Sequence, residues 1–307
     1  MSDQLTFIAR PVLILLAAAA LVLSACGRAP ETSARPAPME DRIGNADQVV
    51  RSIRHGLRNY ASSVTITFSY GSNIYPELND VIGQWVEAAL EETGDPAEGD
   101  YIRYQYGGYT YDSSYVLQDG RWHYTVVITP RYYGYLSQEK EAGEEAERLI
   151  RSFGFLPWTS GEAKVRRIYD WICGNVTYDL VHKKNAYYHQ KSTAYAALVQ
   201  RTATCQGYCT AAYRLLREAG IPCRIVTGKA AGKDGQEDAL HAWLIAEVDG
   251  RYYGLDPTWD AGRTEYQYFL LGSRSFADHV PGEKFRTAEF LEQHPMAEED
   301  HSGRSGL

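Results

Sequence analysis

The sequence predicts an α+β chain, and three patterns carry that expectation. Alternating, strand-like runs such as "SVTITFSY" (63–70) and "HYTVVITPRYY" (123–133) stand among segments with apolar residues at helical spacing. A helix start signal at Thr159, with Glu162 three residues on, precedes Val165, Ile168, Tyr169 and Ile172 at i, i+3, i+4 and i+7. Asp249-Gly250, among the strongest short hairpin turns, is flanked on both sides by alternating runs.

At the N-terminus, "ARPVLILLAAAALVLSAC" places Arg10 before an apolar run of roughly a dozen residues, the length of a signal-peptide core and too short to span a bilayer. Its end, Leu23-Ser24-Ala25-Cys26, resembles a bacterial lipobox, which implies cleavage after residue 25 and lipid attachment at Cys26. The chain would then be exported and held at the cell membrane or outer membrane. Residues 26–44, rich in Pro, Ala, Ser and Thr, read as a flexible tether.

Residues 45–155 read as a small α+β domain. "DQVVRSIRHGLRNY" fits a short helix, and Ile82, Trp85, Val86 and Leu90 recur at helical spacing. "YIRYQYGGYTY" (101–111) reads as a strand with a Gly-Gly break, the next strand stops at Pro130, and a charged helix runs from about Ser137 to Phe153. The chain holds 24 tyrosines, ten of them between Tyr101 and Tyr135, as expected of half-buried strand residues. The net charge of -8 argues against nucleic acid and against electrostatic adhesion to anionic lipid.

Residues 156–290 form the second predicted domain and 291–307 a disordered tail. In "TATCQGYCTAAYRLLREAGIPC" a helix of about fifteen residues follows Thr204 and is stopped by Gly220 and Pro222. Cys209, Ala212, Tyr213 and Leu216 share an apolar stripe, so Cys209 is expected to pack as a small hydrophobe. Cys205 lies one turn earlier, where unpaired N–H groups and the helix dipole favour a thiolate. A Cys205–Cys209 disulfide has poor geometry, while Cys223 could pair with Cys209 or Cys173. Zinc on Cys205, Cys209 and His241 is the weaker alternative, since no C-x-x-C spacing is present.

A two-residue turn at 249–250 makes opposed residues sum to 499, placing His241 opposite Thr258 and Asp256 opposite Trp243. His241 and Asp256 then share one sheet face a diagonal step apart, roughly 7 to 8 Å between backbones. Leu240, Ala242, Leu244, Val248, Tyr253 and Leu255 fall on the other face as a core. A thiolate, an imidazole and an orienting carboxylate together support acyl transfer.

The segments "TCQGYCTAAYRLLREAGIPCRIVTG", "LHAWLIAEV" and "YYGLDPTWD" resemble the transglutaminase-like superfamily, and the likeness extends to "IYDWICGNVTYD" and "YFLLGSRSFADH", about 160–280. Ala203 stands where many members carry glycine, and Leu244 follows His-Ala-Trp where a polar residue is frequent. The resemblance implies a papain-like core, a helix-borne cysteine packed on an antiparallel sheet, with Cys205 as nucleophile, His241 as base and acid, and Asp256 as orienting carboxylate. Gln206, Trp243 and Trp259 are expected beside the site or against substrate. No cofactor or metal is implied, and the expected partner is a protein or peptide substrate, cell-wall peptide included. The family includes cross-linking, hydrolysing and inactive members, so a silent surface module binding peptide or glycan through the Tyr-rich region is the alternative. Fatty-acid labelling of the full chain is expected to mark Cys26 and to vanish in Cys26→Ala; label retained in that variant would contradict the anchor.

Overall fold

The structure is a computed structural model that describes residues 7–9, 46–231 and 239–305, so Cys26 and the tether lie outside the described residues. The chain divides into two compact units, one of residues 1–91 with 106–132 and one of 92–105 with 133–307. Both mix helices with antiparallel sheet, and the fold is α+β.

In the first unit β1 (Phe7–Ala9), α1 (Ala46–Arg58), β2 (Val64–Tyr70) and α2 (Leu78–Ala89) precede two long strands, β3 (Tyr106–Gln118) and β4 (Arg121–Tyr132). The antiparallel sheet has the order β1-β3-β4-β2. Val64, Ile66 and Phe68 of β2 alternate with exposed threonines, as the pattern predicts, and bury one face with Tyr124, Val126 and Ile128 of β4. Ile53 and Leu57 of α1 and Ile82, Trp85 and Val86 of α2 are buried in the same unit, with Trp85 edge-on to Phe68 at 5.0 Å.

Two strand expectations are corrected here. Residues 100–103 form a helical turn, α3, and the strand begins only at Tyr106, runs to Gln118 and turns through Asp119-Gly120, a second Asp-Gly hairpin with both φ positive (50° and 74°). Pro130 does not stop β4; it pairs with Tyr109 beside a register shift at Gly107-Gly108, where the ladder is already interrupted. Six of the ten tyrosines between 101 and 135 (Tyr101, Tyr104, Tyr106, Tyr109, Tyr111 and Tyr124) are buried, so most of this tyrosine surface is core.

The second unit contains α3 (Asp100–Arg103), α4 (Leu136–Phe153), α5 (Gly161–Asn175), β5 (Thr177–Tyr178), α6 (Ala194–Leu198), β6 (Thr202–Ala203), α7 (Cys205–Glu218), β7 (Cys223–Ala230), β8 (Ala239–Val248), β9 (Arg251–Leu255), β10 (His279–Pro281) and α8 (Ala288–Gln293). The main sheet is antiparallel in the order β10-β7-β8-β9, and β5 pairs with β6 in parallel. The helix α7 is buried continuously from Gly207 to Leu216, so the apolar stripe read from sequence understates it: this helix is the centre of the core.

Ala242, Leu244, Ala246 and Val248 of β8 belong to the α7 cluster, whereas Trp243 and Ile245 point the other way into a second cluster with Val226, Tyr252, Tyr268 and Phe276. Both faces of β8 are therefore covered. Leu240, assigned to the core by alternation, is 62 % exposed, because β9 ends opposite Leu244 and gives the first residues of β8 no neighbour on that side.

The expected boundary near residue 155 moves. Helix α4 buries Ala142, Ala146 and Leu149 among the α6 and α7 residues, and Arg201 bonds Glu145 at 2.6 Å. Asp100, buried ahead of β3, pairs with Arg224 of β7 at 2.8 Å, which fixes residues 92–105 in this unit. The cap of α5 is Ser160, whose Oγ accepts from Ala163 N at 3.2 Å, while Thr159 accepts from Leu156 N instead. The stretch expected as a disordered tail from residue 291 is ordered as far as 305: Tyr252 exchanges backbone bonds with Pro295 (3.0 Å) and Ala297 (2.9 Å), and His301 N donates to Leu270 O (3.1 Å). Its polar composition hid this, because the bonds are made by the backbone.

Leu244→Ala empties a fully buried site between sheet and α7. It is expected to destabilise by about 2–5 kcal/mol in urea unfolding, with the slope unchanged.

Candidate functional site

Cys205 is the first residue of α7, half-buried against the core, and the residues before it are held from the side. Thr204 caps the helix in extended conformation (φ -88°, ψ 176°), its N–H donating to Lys191 O at 2.9 Å. Asp179 N donates to Ala203 O at 2.9 Å. The loop from 179 to 191 is therefore tied at both ends to the two residues preceding the thiol. Inside it Lys191 Nζ donates to the carbonyls of His182 (2.8 Å) and Asn185 (2.5 Å). Gly207 permits the close approach, since a Cβ there would lie 2.7 Å from Ala203 Cβ and 2.8 Å from Lys191 O.

The other half of the site comes from the hairpin. Val248 pairs with Arg251 and Leu244 with Leu255, so the register sums to 499, and Asp249 and Gly250 both have positive φ (52° and 78°). The ladder stops at Leu255, and the pairings 256–243 and 258–241 are not made. Asp256 leaves in phase nonetheless, its N–H donating to Tyr268 O at 3.0 Å, and its Oδ2 accepts from His241 Nε2 at 2.7 Å. Oδ1 accepts the N–H groups of Thr258 (2.9 Å) and Trp259 (3.1 Å).

Asp256 is 0 % exposed. Burial by itself would raise its pKa, but the charge of His241 and the hydrogen bonds from His241 and His279 overcome this and hold it down at about 2. For His241 burial opposes the cation, yet the Asp256 carboxylate and hydrogen bonds to Asp256 and Cys205 lift it from 6.5 to about 10. With Nε2 committed to Asp256, Nδ1 is the ring nitrogen left for the Cys205 thiol. The result is a thiol at a helix N-terminus, an imidazole that holds a proton and a carboxylate that fixes the imidazole, which can generate and stabilise a thiolate.

The remaining cysteines are placed differently. Cys173, Cys209 and Cys223 are buried free thiols whose burial pushes their pKa upward, so the described cysteines form no disulfide. Trp259 stacks on His241 (5.0 Å between centroids, 17° between planes) and shields one face of the imidazole. Trp243 is buried 6.3 Å from the same ring, as wall rather than open surface. Gln206 turns away, its amide donating to Tyr104 O, and so ties the start of α7 to the end of α3. Sequence reasoning missed His279, whose Nε2 reaches Asp256 Oδ2 at 3.2 Å; the only signal was a histidine ending "YFLLGSRSFADH".

Among the described residues His241, Asp256 and His279 bring three possible metal ligands within 4.8 Å of one another. Tetrahedral zinc with ligands at about 2.0–2.1 Å separates them by about 3.3 Å, so the 2.7 Å contact of His241 with Asp256 fits a proton and not an ion. Cys209, considered for zinc from sequence, is buried in the core and is not among these three.

Residues 157–257, which include all three groups, match the family model of the transglutaminase-like superfamily. Kyphoscoliosis peptidase of Homo sapiens is 30 % identical over 139 residues, 39 % of this chain and 21 % of that protein, and its Mus musculus counterpart is 29 % identical over the same length. The chain thus spans about a fifth of the length of these curated relatives. Among solved structures, a TGase is 21 % identical with a TM-score of 0.34, covering 50 % of this chain and 46 % of that one. A candidate cysteine protease of Cytophaga hutchinsonii is 20 % identical with a TM-score of 0.31, covering 45 % and 53 %.

The ion pair makes stability depend on pH. His241 has a higher pKa folded than unfolded, so its contribution is complete below pH 6.5 and fades as pH rises through about 10; that of Asp256 is present above 3.8 and fades as pH falls through about 2. The loss in unfolding free energy caused by His241→Gln is expected to be greatest between about pH 4 and 6.5 and to shrink toward pH 10. Urea midpoints across that range check it, and a constant loss from pH 6 to 10 would contradict the pair.

Proposed function

We propose that the second unit is a transglutaminase-like cysteine enzyme that breaks amide or peptide bonds of proteins or cell-wall peptides, transferring the acyl group to an amine or to water, from an exported and lipid-anchored chain. The observation that carries this is Cys205 on the first turn of α7, where it acts electrostatically on His241, whose Nε2 is bonded at 2.7 Å to the fully buried Asp256.

The steps follow from the groups. His241 Nδ1 takes the thiol proton, and the Cys205 sulfur attacks the carboxamide carbon. Charge gathers on the carboxamide oxygen as the C–S bond forms, and the first-turn N–H groups of α7, which have no partner within the helix, are the donors at hand. Collapse of the intermediate breaks the C–N bond, and the imidazolium gives its proton to the departing ammonia or amine. A thioester remains. An amine or water, deprotonated by His241, then attacks the same carbon; the C–S bond breaks, the acyl group leaves on the amine or water, and His241 returns its proton to the Cys205 thiolate. Asp256 holds the tautomer throughout. The choice between amine and water depends on which reaches the thioester first.

Incubation with a fluorescent amine and a glutamine-containing protein separates the two outcomes: amine incorporation indicates transfer, and peptide release indicates hydrolysis. Cys205→Ala is expected to abolish both, and His241→Ala to lower turnover at least a hundredfold, of the order by which general acid–base groups accelerate such steps. The iodoacetamide rate of Cys205 near neutrality is expected to exceed that of a free thiol and to fall to it in His241→Ala. A wild-type thiol no faster than an unperturbed one, together with full function in Cys205→Ala, would leave the silent surface module standing.

A further inference from the structure

The loop between β5 and α6 has its polarity turned inside out. Asp179 is buried; its carboxylate accepts from the backbone N–H of His182 at 2.8 Å and lies 2.9 Å from His182 Nδ1. Lys191 Nζ donates to the carbonyls of His182 (2.8 Å), Lys183 (3.2 Å) and Asn185 (2.5 Å). Asn185 Oδ1 accepts from Tyr187 N at 3.0 Å, and the Tyr188 ring packs on His182 at 4.4 Å between centroids. These polar side chains hold the backbone from within, while Leu180, Val181 and Tyr187 stand outside at 67 %, 84 % and 94 % exposure. A loop ordinarily displays its polar groups. Apolar side chains grouped on the outside of a frame that its own hydrogen bonds keep open mark a surface that a partner covers.

Where the frame is fastened indicates which partner. Tyr178 pairs with Ala203 across the parallel β5–β6 ladder, Asp179 N donates to Ala203 O, and Thr204 N donates to Lys191 O. With strands about 4.8 Å apart and about 3.3 Å per residue from Ala203 to Cys205, the backbone of 178–181 lies roughly 8 to 15 Å from that of Cys205. Charge narrows the choice. Residues 180–200 contain Lys183, Lys184 and Lys191 and neither Asp nor Glu, in a chain whose net charge is -8. Lys191 is used inside the loop, whereas Lys183 and Lys184 are exposed.

We infer that residues 180–187 are the substrate-recognition surface of the site, and that its occupant is a segment of the substrate polypeptide about two to five residues from the reacting carboxamide. An apolar side chain of that segment lies against Leu180, Val181 and Tyr187, and a carboxylate lies by Lys183 and Lys184. The substrate class is therefore an acidic peptide with an apolar residue near the bond that reacts, and this rests on the function proposed above. An anionic bilayer also attracts lysines beside apolar side chains, yet seated on this loop it would lie over the residues that hold Cys205 and close the site to a peptide.

The test uses the full chain and four labelled glutamine peptides that combine Leu or Ser with Asp or Lys within about four residues of the glutamine. Binding is read by fluorescence anisotropy on Cys205→Ala, which leaves the peptides intact, and KM and kcat are read on the wild type. Leu is expected to bind about tenfold more tightly than Ser, the worth of one buried apolar side chain, and Asp about fivefold more tightly than Lys in low salt. Leu180→Ser with Val181→Ser is expected to abolish the preference for Leu and to raise KM about tenfold, with kcat and the iodoacetamide rate of Cys205 unchanged. Lys183→Glu with Lys184→Glu is expected to reverse the preference for Asp in low salt, an effect that high salt removes. Equal binding of all four peptides, or a loss in the loop variants that is the same for each, overturns the inference. Loop-dependent sedimentation with phosphatidylglycerol vesicles in place of any peptide preference overturns it as well and assigns the loop to lipid. A peptide preference in Cys205→Ala beside an inert thiol in the wild type removes the proposed enzyme and leaves the surface standing; turnover indifferent to peptide and loop does the reverse.

Discussion

The second unit depends on one buried carboxylate. Asp256 has no contact with water, and an ionised carboxylate in such a place is costly unless every acceptor position is used. Here Oδ2 takes His241 and His279, and Oδ1 takes the backbone of Thr258 and Trp259. The two backbone bonds turn the chain sharply after β9, which sets Trp259 over the His241 ring. One side chain thus shapes the loop, orients the imidazole and fixes the ring that covers it. Neighbouring Asp260 serves the same loop, accepting from Tyr169 OH and from the N–H groups of Gln267 and Tyr268.

The thiol is placed by packing. Because α7 is buried from Gly207 to Leu216, only its two ends present half-exposed side chains, and Cys205 occupies the first of them. The approach of Gly207 to Ala203 and Lys191 O sets the angle at which the helix starts, and the bonds from Lys191 and Asp179 stop the preceding residues from fraying. An exposed loop carrying Leu180, Val181 and Tyr187 therefore rests on a rigid base directly beside the sulfur. Loops so placed commonly carry the residues that meet a substrate.

Much of this was legible in the chain. The Asp249-Gly250 turn gave the register outright, because a two-residue hairpin leaves no freedom in parity, and parity decides which side chains share a face. Thr204, Gly220 and Pro222 bounded α7 to within a residue or two. Errors fell where local signals compete or stop. The run 101–111 has strand composition throughout, but α3 is set by Asp100 reaching Arg224, 124 positions away, as well as by its own residues. Charge-rich α4 reads as belonging to whatever precedes it until its small buried residues Ala142 and Ala146 are seen against α6 and α7. The stretch after 291 offers no periodicity, since its order comes from backbone bonds to Tyr252 and Leu270.

By itself the sequence determined α7, the β8–β9 hairpin and the candidate triad, since Cys205, His241 and Asp256 are specified by helix caps and hairpin parity, which act within a few residues. Only the tertiary structure decided the surroundings. His279 reaches Asp256 through the pairing of β10 with β7, Gln206 turns away to Tyr104, and Leu240 is left exposed where β9 ends. These depend on contacts between residues distant in the chain, for which local spacing carries no signal.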